Sequence, residues 1–167
     1  VFEARVRLLA VAAILLASAS FLEANVVRPA PNFAWTDSTG KNQQLSKFKG
    51  QPVVILISPS PLSWRFRSQV GQLQGVYERL ATAQAIVVAA FTSEGGRIRS
   101  NIPFVNAADG PGVAALYYPN LPVGRSAVAI VGRDGNLDFI GERVLSGQRV
   151  LDIINNSFVN QAALRRD

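Results

Sequence analysis

The run Val53-Val54-Ile55-Leu56-Ile57-Ser58 leaves no face for water. A short, largely β-branched stretch without polar alternation marks a strand covered on both sides, at the centre of a sheet with layers above and below. Two further runs repeat the pattern, AIVVAAF from Ala85 to Phe91 and SAVAIV from Ser126 to Val131. Between the first two, Phe66, Val70, Leu73, Tyr77 and Leu80 recur at helical spacing, which predicts one long helix over 63–83.

The flanking segments fill in the order. Phe33 and Trp35 alternate with polar neighbours, and Asp37-Ser38-Thr39-Gly40 is a turn signal, so the stretch from Asn32 to Ser46 reads as an N-terminal β-hairpin. Ile102 to Val105 is a short extended piece, and GPGVAALYY a short helix. Asp134-Gly135 turns the third buried run back into Leu137 to Glu142. Asp134, Asn136 and Asp138 read as turn chemistry rather than a calcium loop. Ser146 caps a final helix with Val150, Ile153, Ile154 and Phe158 on one face. The sum is an α/β fold, a mixed central sheet flanked by helices.

Composition matters most through what is missing: the counts of Cys, His and Met are all zero. No disulfide can form, and no thiolate or imidazole can serve as nucleophile, base or soft metal ligand. No cofactor and no metal are expected. The net charge of +6 is carried by scattered residues without interleaved aromatics, so no nucleic acid is expected as partner. The Asn155-Asn156-Ser157 sequon lies inside a predicted helix and reads as chance.

Arg5 and Arg7 precede an apolar or small-residue stretch from Leu8 to Leu22. That is the layout of a signal peptide over 1–24, cleaved near Ala19 or Ala24, or of an uncleaved signal-anchor helix. Both export the domain, to the periplasm or to the outer side of an inner membrane, with the membrane reached through this segment if it is uncleaved. A third reading is an amphipathic or buried N-terminal apolar helix of a cytosolic protein. Residues 25–31, with Pro29 and Pro31, read as an extended linker, and 32–167 as the domain.

Three stretches in order, RPAPNFAWTDSTGKNQQLSKFKGQPVVILI, IPFVNAADGPGVAALY and GRSAVAIVGRDGNL, carry a resemblance covering Pro29 to Phe158. The sequence resembles the thioredoxin-like superfamily, and within it the AhpC/TSA-type peroxiredoxins. The resemblance implies a thioredoxin-like sandwich. It also implies an active-site window P-x-x-x-[TS]-x-x-C with an arginine from a later strand. Here Pro59 and Ser63 match the window, Phe66 stands where the cysteine belongs, and Arg125 falls where the arginine lies. The cis-proline of thioredoxins has no match, Pro122 being the nearest residue.

Family chemistry needs a thiolate at a helix N-terminus and a thiol to resolve it. Phenylalanine offers neither, and no histidine exists to activate Ser63. The resemblance therefore implies a redox-dead domain, a binding, structural or accessory subunit with a protein partner. Two alternatives stand beside it. One is a thiol-independent enzyme using Ser63 and Arg125 as an anion site with Glu94 or Asp109. The other is an assembly factor of a membrane complex. Phe66 reads as core packing or as an exposed recognition aromatic, and Trp64 as either. Arg65 and Arg67 are expected in solvent, with Trp64, Arg65 and Arg125 as possible partner contacts.

Overall fold

The computed structural model describes residues 28–37 and 39–156. The leader or anchor expected over 1–24, most of the linker, Phe158 and the end of the sequon lie outside the described residues.

β4 (Val53–Ser58) is buried along its whole length and forms the middle of an eight-stranded sheet. β5 (Ile86–Phe91) lies parallel on one side of it, and β7 (Ala127–Val131) antiparallel on the other. β6 (Phe104–Ala107) continues parallel beyond β5. The hairpin of β2 (Ala34–Thr36) and β3 (Asn42–Gln44) pairs onto β6 and closes that edge. Beyond β7, β8 (Asn136–Gly141) pairs back through the Asp134-Gly135 turn, and β1 (Arg28–Pro29) forms the other edge. Arg28 and Pro29, read as linker, thus belong to the sheet. An edge position suits Pro29, which has no N–H to give a ladder.

Side-chain alternation along β4 divides the core. Val53, Ile55 and Ile57 face a layer built from Phe33, Trp35, Leu45, Val113 and Tyr117, the last two on α3 (Gly110–Tyr117). Val54 and Leu56 face α1 (Trp64–Gln74), α2 (Tyr77–Thr82) and α4 (Gly147–Asn155).

The long helix expected over 63–83 is two helices. Gly75 closes α1, and Val76 leaves helical space at φ −125° and ψ 16°. Glycine holds a helix poorly, and the start of α4 packs into the gap. A Cβ on Gly147 would lie 2.5 Å from the Gln72 carbonyl oxygen and 2.8 Å from Val76. The apolar stripe survives the break: Phe66, Val70, Leu73 and Leu80 are all buried.

Candidate functional site

β4 ends on Ser58, and the chain must turn from a covered strand into α1. The buried Ser58 hydroxyl lies 3.0 Å from that of Ser126, at the start of β7. It also donates to the Ser60 carbonyl at 3.3 Å, which leaves Ser126 as donor in the pair. The loop is held from outside as well. The Pro59 carbonyl accepts from the amides of Ser93 and Glu94 at 3.1 and 3.0 Å, and Thr92 N–H donates to the Ser58 carbonyl at 2.9 Å. Ser63 then occupies the N-cap of α1, but its side chain makes no capping bond. Pro59 and Arg125 are the next residues outward from the serine pair, so the fold brings Pro59, Ser63 and Arg125 to one end of the sheet.

Phe66 is 3% exposed. Its ring packs edge-on against Phe91 at 5.2 Å between centroids and tilted against Phe104 at 6.0 Å. Of its two readings the structure takes core packing, worth about 1.5–3 kcal/mol of transfer energy. The hollow beside it, walled by Arg65, Gln69, Ser126 and Glu142, holds about 10 Å³, room for one water at most.

The neighbours of Phe66 diverge. Trp64 is 62% exposed and Leu62 76%. Arg65, expected in solvent, is half-buried instead. Its guanidinium lies 5.1 Å from the Trp64 ring centroid and donates to the Glu142 carbonyl at 2.9 Å. A guanidinium can lay its plane on an aromatic face while a second N–H serves a carbonyl, so the helix's first turn gives it both partners at once. Arg67 is exposed, as expected. Glu142 in turn accepts from the Tyr118 hydroxyl at 3.1 Å, a bond that raises the phenol's pKa.

Arg125 is exposed, and its side chain makes no hydrogen bond or ion pair among the described residues. Its amide closes a turn on the Pro122 carbonyl at 3.0 Å, and the Leu121–Pro122 peptide is trans, as are all those described.

Neither acid proposed to join Ser63 is hydrogen-bonded to it among the described residues. Asp109 caps α3 by accepting from the Gly112 amide at 2.9 Å. It lines a separate hollow of about 330 Å³ with Gly95, Gly96 and Asn106. Glu94 is exposed on the loop pinned to Pro59.

Several structural residues of this end are invisible to motif reading. Gln69 is 2% exposed and pairs with the backbone of Leu145 in both directions, donating at 3.0 Å and accepting at 2.7 Å. Its one signal in the sequence is a polar residue beside the apolar stripe of α1. At the opposite end of the sheet Asp134 accepts from the amide and side chain of Asn136, as a turn residue should. Asp138 Oδ2 is buried without a hydrogen-bond partner, and desolvation followed by the Asp134 charge raises its pKa to about 6. No group of three or more metal-binding side chains occurs among the described residues. No helix among them is long and apolar enough to cross a membrane.

The sequence matches no protein-family model and no curated protein. Solved structures do match. Peroxidoxin BcpB from Mycobacterium tuberculosis aligns at TM-score 0.59 and 16% identity, over 78% of this chain and 96% of that one. The 2-Cys peroxiredoxin of Plasmodium vivax aligns at TM-score 0.61 and 14% identity, over 85% and 99%. A DsbF homologue from Corynebacterium diphtheriae aligns at TM-score 0.59 and 18% identity, over 81% and 90%. The likeness spans almost all of each neighbour, at identities that speak to the fold. The chain therefore has a thioredoxin-like fold, and it contains no cysteine.

Proposed function

We propose that this protein is a redox-silent thioredoxin-like domain that acts by binding, as an accessory subunit outside the cytoplasmic membrane. One observation carries the reading. Phe66, standing where the peroxiredoxin-like pattern places a cysteine, is buried, while Leu62 and Trp64 beside it are turned outward. The loop has exchanged a reactive pocket for a surface. The basic residues ahead of the apolar Leu8–Leu22 stretch support export or anchoring.

Two measurements test it. The purified full chain is expected to consume no peroxide with dithiothreitol or a thioredoxin system. Trp64→Ala is expected to abolish co-purification of its partner from detergent-extracted membranes while leaving the far-ultraviolet circular dichroism unchanged. Peroxide turnover, or a Trp64→Ala variant that keeps both its co-purifying proteins and its share in the membrane fraction, overturns it.

A second reading, a residual anion site, is favoured by the spare groups of this end. The Ser63 hydroxyl makes no cap bond and the Arg125 guanidinium has no partner among the described residues. Phosphate titration followed by amide NMR decides it: unmoved Ser63 and Arg125 signals at millimolar phosphate exclude the site.

A further inference from the structure

We propose that the end of the sheet carrying the degenerate loop is a membrane-docking face, which inserts Leu62, Trp64 and Val123 among the headgroups of an anionic phospholipid bilayer. The proposal rests on the binding reading above and names the partner.

Three of the four most exposed large apolar side chains among the described residues lie at this end, in its two loops and the first turn of α1. They are Leu62 at 76%, Trp64 at 62% and Val123 at 102% exposure. β4 and β8 run towards this end and β7 starts from it, with Leu56, Val128 and Gly141 in one row across the sheet. The loop after β4 carries Leu62, the first turn of α1 carries Trp64, and the loop before β7 carries Val123. The Arg65 bond to Glu142, just past β8, ties the first of them to the sheet's far side.

The form of the surface selects the partner. A peptide-binding face needs a groove with pockets for side chains. Here the hollow between α1 and the β7–Glu142 wall described above holds about 10 Å³, and the apolar groups project. Projecting apolar and indole side chains ringed by arginine suit a bilayer interface. Arg67, Arg125 and Arg143 are exposed around them. Glu142 is half-buried and engaged with Tyr118, which leaves Glu94 and Asp109, in the loops after β5 and β6, as exposed carboxylates at this end among the described residues. The balance favours an anionic surface.

The direction of the chain gives an independent reason. β1 is antiparallel to β8, with Arg28 opposite Leu137 and Pro29 opposite Asn136. The chain therefore enters β1 from the side of Gly141, which is the side of Leu62 and Trp64. Glu23 to Val27 separate Arg28 from the apolar Leu8–Leu22 stretch, and five extended residues reach at most about 17 Å. The distance along β8 from Leu137 to Gly141 is about 13 Å. A retained apolar segment in a membrane would tether the domain from this end.

Trp64 reports its own insertion, since Trp35 is 2% exposed and supplies a constant background that Trp64→Phe isolates. The full chain is mixed with phosphatidylcholine vesicles with and without phosphatidylglycerol, each also prepared with brominated acyl chains. Trp64 emission is expected to shift to the blue and to be quenched in the anionic vesicles, with at least tenfold weaker partitioning onto neutral ones. The double variant L62S/V123S is expected to lose the quenching even where its apolar N-terminal stretch keeps it on the vesicles. Co-sedimentation with Trp64 unquenched overturns the proposal, as does equal quenching in neutral vesicles. If Trp64 stays unquenched while Trp64→Ala still abolishes a co-purifying protein, the face binds protein and the binding reading survives alone. If neither effect occurs, both fall.

Discussion

The hydroxyls of Ser58 and Ser126, sixty-eight positions apart in the chain, meet at 3.0 Å in the floor beneath the degenerate loop. Their burial makes the bond costly to half-remove. Either Ser58→Ala or Ser126→Ala is expected to lower unfolding stability by about 1–2 kcal/mol. The double alanine variant should cost clearly less than the sum, because no hydroxyl is then left unpaired by its partner's loss. Strict additivity in urea unfolding would show that the two groups do not act as a pair.

Phe66→Cys puts a thiol where the peroxiredoxin pattern reserves one. The position is apolar, walled by Phe91 and Phe104, and Arg125 stands out in solvent. Burial disfavours the thiolate, so the new thiol should stay protonated and slow. Loss of the ring should cost about 2–4 kcal/mol. Native-state labelling with a disulfide reagent is expected to run at least tenfold slower than in the urea-unfolded chain, without peroxidase activity. Labelling as fast as a free cysteine would mean that the pocket beneath the loop is open.

Two carboxylates should bend the stability profile in opposite senses. Asp138 has a folded pKa raised from 3.8 to about 6, so the native state holds its proton more tightly than the unfolded chain. Its contribution is therefore best at low pH and is lost as pH rises through that window. Asp138→Asn is expected to stabilise the protein at pH 7 and to leave it unchanged below the window. The side chain is only partly buried, so solvent screening keeps the gain to roughly 1 kcal/mol or less. Equal stability of the two proteins at pH 7 in thermal unfolding would mean that neither desolvation nor the Asp134 charge disfavours the carboxylate.

Asp37 runs the other way. Hydrogen bonds from Gln43, Thr39 and Lys41 hold its carboxyl well below the usual 3.8. Its contribution is present above that value and lost as pH falls toward the folded one. Asp37→Asn should flatten the acid limb of the profile and weaken amide protection in the β2–β3 hairpin. An unchanged acid limb would contradict the role of this turn.

Much of the architecture could be read from local pattern. The uninterrupted Val53 to Ser58 run placed the central strand, and the spacing from Phe66 to Leu80 named the buried face of α1 and α2. What escaped depended on distance. Beside the split at Gly75, Gly147 packs on Gln72 and Val76 from more than seventy residues away. Arg28 and Pro29 look like linker until β8 offers an edge. Arg65 looks like a surface cation until Glu142 supplies a carbonyl. At the site itself the lack of any thiol was legible from the composition. The serine pair that now holds the loop was not, because a serine at a strand end carries no periodic signal.

Gln69 shows how this end of the sheet stays in place. A buried amide that donates to and accepts from one backbone residue replaces the two hydrogen bonds a neighbouring strand would give Leu145. The same segment, from Glu142 onward, receives the Arg65 guanidinium and leads to the Ser146 cap of α4. Gln69→Leu keeps the volume but leaves Leu145 N–H and C=O without partners in a buried setting, at an expected cost of about 2–3 kcal/mol. The loss should be local first. Leu145 amide exchange is expected to accelerate at least tenfold, with smaller gains at Glu142 and Arg143, while amides of β4 keep their protection. Trp64 emission should shift as well, because its arginine neighbour loses a fixed acceptor. Should Leu145 exchange remain at the rate of the unaltered protein, the segment is held by apolar packing and Gln69 is a bystander.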